Sequence, residues 1–251
     1  MNVSPKWRSA SSLAVCCLLV SAIPSAPYVD AGGGFVGQEG QGTLNRLTPS
    51  EVRAGWRLLF DGKTTQGWRA YKGDTVPSGW QVVNGALVRA AAAADIVTVE
   101  EFGDFELHLE WRVAEGANSG IFYRAIDGLE WIYHGAPEYQ ILDDARHRDG
   151  RSPLTSAGAV YGLYPTKPGV VKPAGEWNVA RIVARGPHVE HWLNGVKVAE
   201  YEQGSADWQA RVEASKFAQW PQFGKAMKGR IGLQEHGGRV EFRNIKIRPL
   251  E

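Results

Sequence analysis

The stretch Asp104-Phe105-Glu106-Leu107-His108-Leu109-Glu110-Trp111-Arg112-Val113 decides the fold class. In an extended chain Phe105, Leu107, Leu109, Trp111 and Val113 fall on one face, and Glu106, His108, Glu110 and Arg112 on the other. A helix of period 3.6 would mix the two sets. The segment therefore reads as a half-buried antiparallel strand, apolar side inward.

Outward from it the same period recurs, punctuated by glycine. Gly79 to Val88 reads as a hairpin with Asn84-Gly85 at its tip, where both residues tolerate positive φ. Asn178 to Ala184 and His188 to Leu193 form another pair, followed by the turn Asn194-Gly195, and Gly229 to Ile247 gives two strands around Gly237-Gly238. Residues 142–176, rich in glycine, proline and scattered charge, form a long irregular connection of the kind that carries function. Residues 204–223 hold one short helix. Many short strands and almost no helix predict an all-β sandwich of two antiparallel sheets. Apolar faces meet inside such a sandwich, so a strand whose outward face carries several long polar groups is a candidate site. The strand 105–113 qualifies, as does Glu138 to Leu142, where Glu138 and Gln140 point one way and Tyr139 and Ile141 the other. If the sheet curves, that outward face is a concave groove.

Residues 1–31 read as a signal peptide: Lys6 and Arg8, an apolar run from Ser12 to Val20, then small residues at Ala26 and Ala31. A Gly-rich linker is expected over 32–50 and a single domain over 51–251, secreted or periplasmic. Both cysteines, Cys16 and Cys17, fall in the leader, which excludes a disulfide scaffold or cysteine site from the remainder. Removing Lys6, Arg8 and Asp30 from 28 basic and 27 acidic residues leaves 26 of each. A balanced charge with no basic run gives nucleic-acid binding no support. No later stretch has the length of a membrane span.

Trp56-Arg57-Leu58-Leu59-Phe60-Asp61-Gly62-Lys63 with Gly67-Trp68, Asn118-Ser119-Gly120-Ile121-Phe122-Tyr123-Arg124, Glu138-Tyr139-Gln140-Ile141-Leu142-Asp143, Gly175-Glu176-Trp177-Asn178, Trp192-Leu193-Asn194-Gly195 and Gly232-Leu233-Gln234-Glu235-His236-Gly237 occur in this order. Each motif alone is weak. The set resembles the 3-keto-glycoside lyase and hydratase family, also called 3-keto-disaccharide hydrolases, over roughly residues 55–250. The resemblance implies a concanavalin-like jelly roll and a substrate oxidised to a ketone at carbon 3. It also implies a sugar 3-dehydrogenase upstream. A C3 ketone acidifies the C2 hydrogen, so a base can remove it, the aglycone leaves from C1, and water added back completes net hydrolysis. Such a site needs a base, an acid for the leaving oxygen and a donor or cation for the enolate. No Gly-rich nucleotide fingerprint appears.

Within these motifs Glu138 is the first choice for the base or a metal ligand, against a solvated strand carboxylate. Asp143 is a second acid or ligand, or a turn cap beside Asp144. His236 is a proton shuttle or a solvated loop histidine. Arg124 suits a sugar hydroxyl or enolate oxygen, with a cross-sheet ion pair as its rival. Gln140, Asn118 and Glu235 are expected to bind substrate, and Tyr161, Lys172 and Trp177 to flank the long loop and line a sugar site. Glu138, Asp143, Glu110 and His108 are an oxygen-rich set that could hold a divalent ion polarising the ketone, although no fixed ligand spacing supports it. A non-catalytic carbohydrate-binding module is the competing function, and a conventional two-carboxylate glycosidase is a third.

Overall fold

Two antiparallel sheets face each other in the computed structural model, in which residues 44–250 are described; the expected signal peptide and most of the expected linker lie outside them. In chain order the strands are β1 (Arg57–Leu58), β2 (Trp68–Ala70), β3 (Trp80–Val83), β4 (Ala86–Arg89), β5 (Ile96–Thr98), β6 (Phe105–Val113) and β7 (Asn118–Ala125). They continue with β8 (Glu138–Leu142), β9 (Asn178–Arg185), β10 (His188–Leu193), β11 (Val196–Glu202), β12 (Arg230–Leu233) and β13 (Val240–Pro249). One sheet runs β11-β10-β9-β6-β13-β4-β3, with β1 on β13; the other runs β2-β5-β12-β7-β8. This is a concanavalin-like jelly roll, and α1 (Pro49–Arg53) and α2 (Ala206–Glu213) are its only α-helices among the described residues.

The alternation of the deciding strand is realised: Phe105, Leu107, Leu109, Trp111 and Val113 are buried in the main core. Asn84 and Gly85 take φ of 52° and 77° at the β3–β4 turn, and Asn194 and Gly195 take 49° and 83° at the β10–β11 turn, conformations that asparagine and glycine tolerate. The strands on either side of Gly237-Gly238 join different sheets, so that turn is a crossover. Polar contacts also tie the layers. Tyr123 on β7 meets His191 Nε2 and the Tyr201 hydroxyl, both at 2.8 Å, and the Tyr139 hydroxyl donates to the Trp192 carbonyl.

The two outer faces differ. On the eight-stranded sheet the charges satisfy one another: Glu106 with Arg181 and Arg248, Glu110 with Arg243 and Asn244, Glu241 with Arg112 and Arg239. Trp177 lies here, flanked by Arg112 and Arg243 at 4.7 and 4.0 Å from its ring centre. The outer face of the five-stranded sheet is instead covered by loops. Ile132 packs where a Gly232 side chain would stand, in a small cluster with Tyr71, Val97, Phe122 and Ala136.

Candidate functional site

Pairing places Val97, Gly232, Phe122 and Glu138 in one row across β5, β12, β7 and β8, so all four share the outer face. Gly120 and Gln140 pair one step along, and the Gln234 N–H donates to the Gly120 carbonyl. Asp95, immediately before β5, accepts the Glu235 N–H at 2.8 Å and so lies beside Gln234. The Glu138 carboxylate reaches over Gly120: a Cβ there would stand 2.7 Å from Glu138 Cγ and 2.8 Å from Cδ. Only glycine leaves the space.

Four carboxylates are buried among the described residues: Glu106, Glu138, Asp143 and Glu241. Three are hydrogen-bonded; Glu138, 8% exposed, has no hydrogen-bond partner there. Burial pushes its carboxyl up to about 8; Lys216 opposes this, while Asp95 and Asp149 add to it. Burial raises Asp95 to about 6, less far because the Glu235 N–H favours its anion.

The walls come from three loops. Residues 155–161 run beside β8: Tyr161 N–H donates to the Glu138 carbonyl, Val160 bridges Tyr139, and Gln140 Nε2 donates to the Thr155 carbonyl. Tyr161 is therefore on the Glu138 face, and burial lifts its phenol to about 12. The Ile132–His134 turn supplies Tyr133 and His134, the latter stacked on Trp220 at 4.2 Å. After α2, Lys216 sets its ammonium 4.5 Å from the Tyr161 ring centre and 5.6 Å from that of Tyr133. The Tyr164, Tyr201, Trp208, Phe223 and Phe217 rings stack in succession and hold that segment down.

Several expected residues lie elsewhere or do other work. Arg124 would share the outer face by strict alternation, but a bulge opposite Arg230–Gly232 and its φ of 54° turn it aside. It donates to Gln203 Oε1 and the Gly186 carbonyl at the junction of the sheets. Trp177 belongs to the opposite sheet, and exposed Lys172 donates to its carbonyl. Asp143 accepts the Gly116 and Ala145 N–H groups, closing the loop as a turn residue, and Asp144 accepts that of Ala157. Gln140 is wholly buried and clamps the Tyr161 loop instead of facing a ligand. Glu235 pairs with Arg89, and His236 is exposed in the same turn with no hydrogen bond among the described residues. Asn118 and Gln234 each bury an unpartnered side-chain oxygen.

The proposed metal set is divided by the core. Glu138 is on the five-stranded sheet, while His108 and Glu110 are on the far face of the other, with Glu110 bound to Arg243 and Asn244. These residues cannot ligate one ion. One other cluster, His188, Glu190 and Glu200, lies on β10 and β11, where the Lys197 ammonium already bonds both glutamates. Asp95, Tyr133, Lys216 and Trp220 were not singled out by sequence.

Comparison with known proteins gives concordant relatives. The chain is 37% identical over 229 residues to a 3-keto-disaccharide hydrolase of Bacteroides thetaiotaomicron, covering 78% of this chain and 79% of that one. A solved structure from Parabacteroides distasonis ATCC 8503, of a protein provisionally called a glycosyl hydrolase, superposes with TM-score 0.78 at 34% identity. It covers 83% of this chain and all of the other. A second such structure from that organism has TM-score 0.62 at 32% identity, covering 78% and 99%. Residues 55–248 match the model of the 3-keto-alpha-glucoside-1,2-lyase-like domain, and the chain belongs to that family.

Proposed function

We propose that the protein cleaves 3-keto-glycosides, with Glu138 as the base that removes the C2 proton. The carrying observation is the buried, unpartnered Glu138 carboxylate on a face otherwise closed by loops. A largely buried carboxylate with no hydrogen bond to hold its anion is a stronger base than an ordinary one, which a weak carbon acid requires. The C2–H electrons form the C2–C3 enolate, whose charge falls on the former ketone oxygen. Lys216 is the cation coupled to Glu138 and supplies the counter-charge. As the enolate collapses, the C1–O bond breaks and C1–C2 becomes double. Tyr161 protonates the departing oxygen; a phenol near 12 is matched to an alcohol leaving group. Water then adds its hydroxyl to C1 and a proton returns to C2, for net hydrolysis. The Gln234 and Asn118 oxygens accept sugar hydroxyls. The reading of residues 1–31 as a signal peptide supports a reaction outside the cytoplasm, with its substrate supplied by an enzyme that oxidises sugars at C3.

The test is turnover of a 3-keto-disaccharide and its unoxidised parent in D₂O. Elimination and rehydration place deuterium at C2 of the released keto-sugar above the enzyme-free control, and Glu138→Gln abolishes it. Release with C2–H retained overturns the reading. A second reading has one observation in its favour: Glu138 and Asp95, near 8 and 6, form a carboxylate pair of the kind that divides acid and base roles in glycosidases. Turnover of the parent alone selects it.

A further inference from the structure

Tyr161 stands at the end of residues 155–161, a loop whose hydrogen bonds run almost entirely to β8 and to neighbouring loop residues. One bond runs the other way. Gly158 donates its N–H to the Gln140 carbonyl on β8, while its own carbonyl lies 3.1 Å from His191 Nδ1 on β10 of the opposite sheet. Among the described residues this is the one hydrogen bond from residues 155–161 to the eight-stranded sheet. The approach is close: a Cβ on Gly158 would stand 3.0 Å from Val198 Cγ2 on β11 and 3.5 Å from Leu193 Cδ2 on β10. The loop is thus held between the two sheets at Gly158, and Tyr161, three residues on, is bonded through its N–H to the Glu138 carbonyl.

His191 is wholly buried, and its hydrogens follow by elimination. A carbonyl only accepts, so Nδ1 carries a hydrogen and donates it to Gly158. Burial pushes the imidazole down to about 4, so near pH 7 the ring is neutral and Nε2 is an acceptor. Tyr123 therefore donates to Nε2, and with its one hydrogen spent it accepts from the Tyr201 hydroxyl. The donors run in one direction: Tyr201 on β11, Tyr123 on β7, His191 on β10, and last the loop at Gly158. Packing alone would be served by an apolar ring at this position; the imidazole adds a direction, because fixing one nitrogen aims the other.

We infer that His191 is a positioning residue for the reaction: through the Gly158 carbonyl it sets where the loop holds the Tyr161 hydroxyl relative to Glu138. The inference rests on the reading of Tyr161 as the acid that protonates the leaving oxygen.

The test measures keto-sugar release from a methyl and a 4-nitrophenyl 3-keto-glucoside, together with hydrogen exchange over residues 155–161. His191→Phe keeps an aromatic ring in the core and loses the donor. His191→Asn packs worse, but its amide N–H can take the place of Nδ1–H. In His191→Phe, kcat for the methyl glycoside falls about tenfold relative to the nitrophenyl glycoside, as a shift of the acid by about half an ångström predicts, and exchange over the loop quickens. His191→Asn keeps more of that ratio than His191→Phe, the reverse of the order that packing gives. A purely structural role lowers both rates by one factor, the loss of folded enzyme, and leaves the ratio unchanged. Tyr161→Phe is assayed beside them. Selective loss of the methyl glycoside in Tyr161→Phe without selective loss in His191→Phe overturns the positioning role, as does a better ratio in His191→Phe than in His191→Asn. If Tyr161→Phe is itself unselective, the acid reading fails and exchange decides the loop contact alone: unchanged exchange in His191→Phe overturns it, and faster exchange that His191→Asn reverses upholds it.

Discussion

Gly120→Ala tests the arrangement of the site at one atom. Gly120 is on β7 with ordinary extended backbone, so alanine meets no conformational penalty there. Its new methyl would stand 2.7 Å from Glu138 Cγ and closer still to Oε1. Unstrained carbon contacts begin at about 3.5 Å, so the Glu138 side chain must retreat by about 1 Å. Overpacking of this size costs about 1–3 kcal/mol, which leaves the domain folded. Its effect on chemistry is larger, because a base misplaced by about 1 Å loses on the order of 100-fold. We expect kcat/KM on a 3-keto-glycoside to fall about 100-fold, with circular dichroism unchanged and a melting point lowered by a few degrees. Gly232→Ala is the control. Its methyl meets Ile132 Cδ1 at 2.6 Å, the mobile end of a side chain, so it disturbs the loop packing and moves Glu138 far less. Equal activity of Gly120→Ala and the unaltered protein would refute the placement of Glu138. Equal losses in both variants would show that the sheet face, not the carboxylate, had been disturbed.

Four further outcomes follow from the same geometry. Glu138→Gln should lower kcat by about 10²–10⁴, the usual contribution of a general base, measured by release of keto-sugar. The same substitution should stabilise the fold in a pH-dependent way. The folded carboxyl is raised from 4.5 to about 8, so its ionisation opposes folding progressively from pH 4.5 to 8 and fully above that. Glu138→Gln and the unaltered protein should therefore melt alike near pH 4 and diverge by several degrees at pH 8; a constant gap contradicts the assigned burial. In the unaltered protein, kcat/KM should rise with pH through a limb near 8, since the base must be ionised, and Lys216→Met should move that limb upward. Tyr161→Phe should slow glycosides with alkoxide leaving groups at least tenfold more than those with nitrophenolate, which needs no proton; equal losses would take the acid role from Tyr161.

The framework was legible because period and turn chemistry are local. Phe105 to Val113 alternates in the sequence and in the fold, and Asn84-Gly85 and Asn194-Gly195 occupy the positive-φ turns their side chains permit. Glu138 was legible as an outward residue for the same reason. Arg124 was not legible, because a bulge that composition does not reveal turns it off its expected face. Trp177 and Lys172 sit at the end of the long connection, which leaves the site and returns to the opposite sheet before β9. Asp95 and Lys216 were illegible because each reaches the site from a loop, and loop direction is set by packing, here by the stacked aromatic rings beneath residues 216–220.

The two outer faces of the sandwich explain why one of them is reactive. Both carry carboxylates on strands that alternate, Glu106 and Glu110 on β6 and Glu138 on β8. On the eight-stranded sheet Glu106, Glu110 and Glu241 each face an arginine from a neighbouring strand, and those pairs hold Glu106 and Glu241 below their ordinary pKa. Charge so neutralised has nothing left to offer a substrate. On the five-stranded sheet glycine stands under the carboxylate: Gly120 gives Glu138 room but no partner, and the surrounding loops bury most of its side chain. The protein accepts the cost of an unsatisfied acid at that one strand position, and unsatisfied polarity of this kind persists where a ligand completes it. Replacing Gly120 by a larger residue fills that room, whereas removing a pair such as Glu110 and Arg243 together should change activity little. Such a double variant, assayed on the same 3-keto-glycoside, separates the reactive face from the structural one.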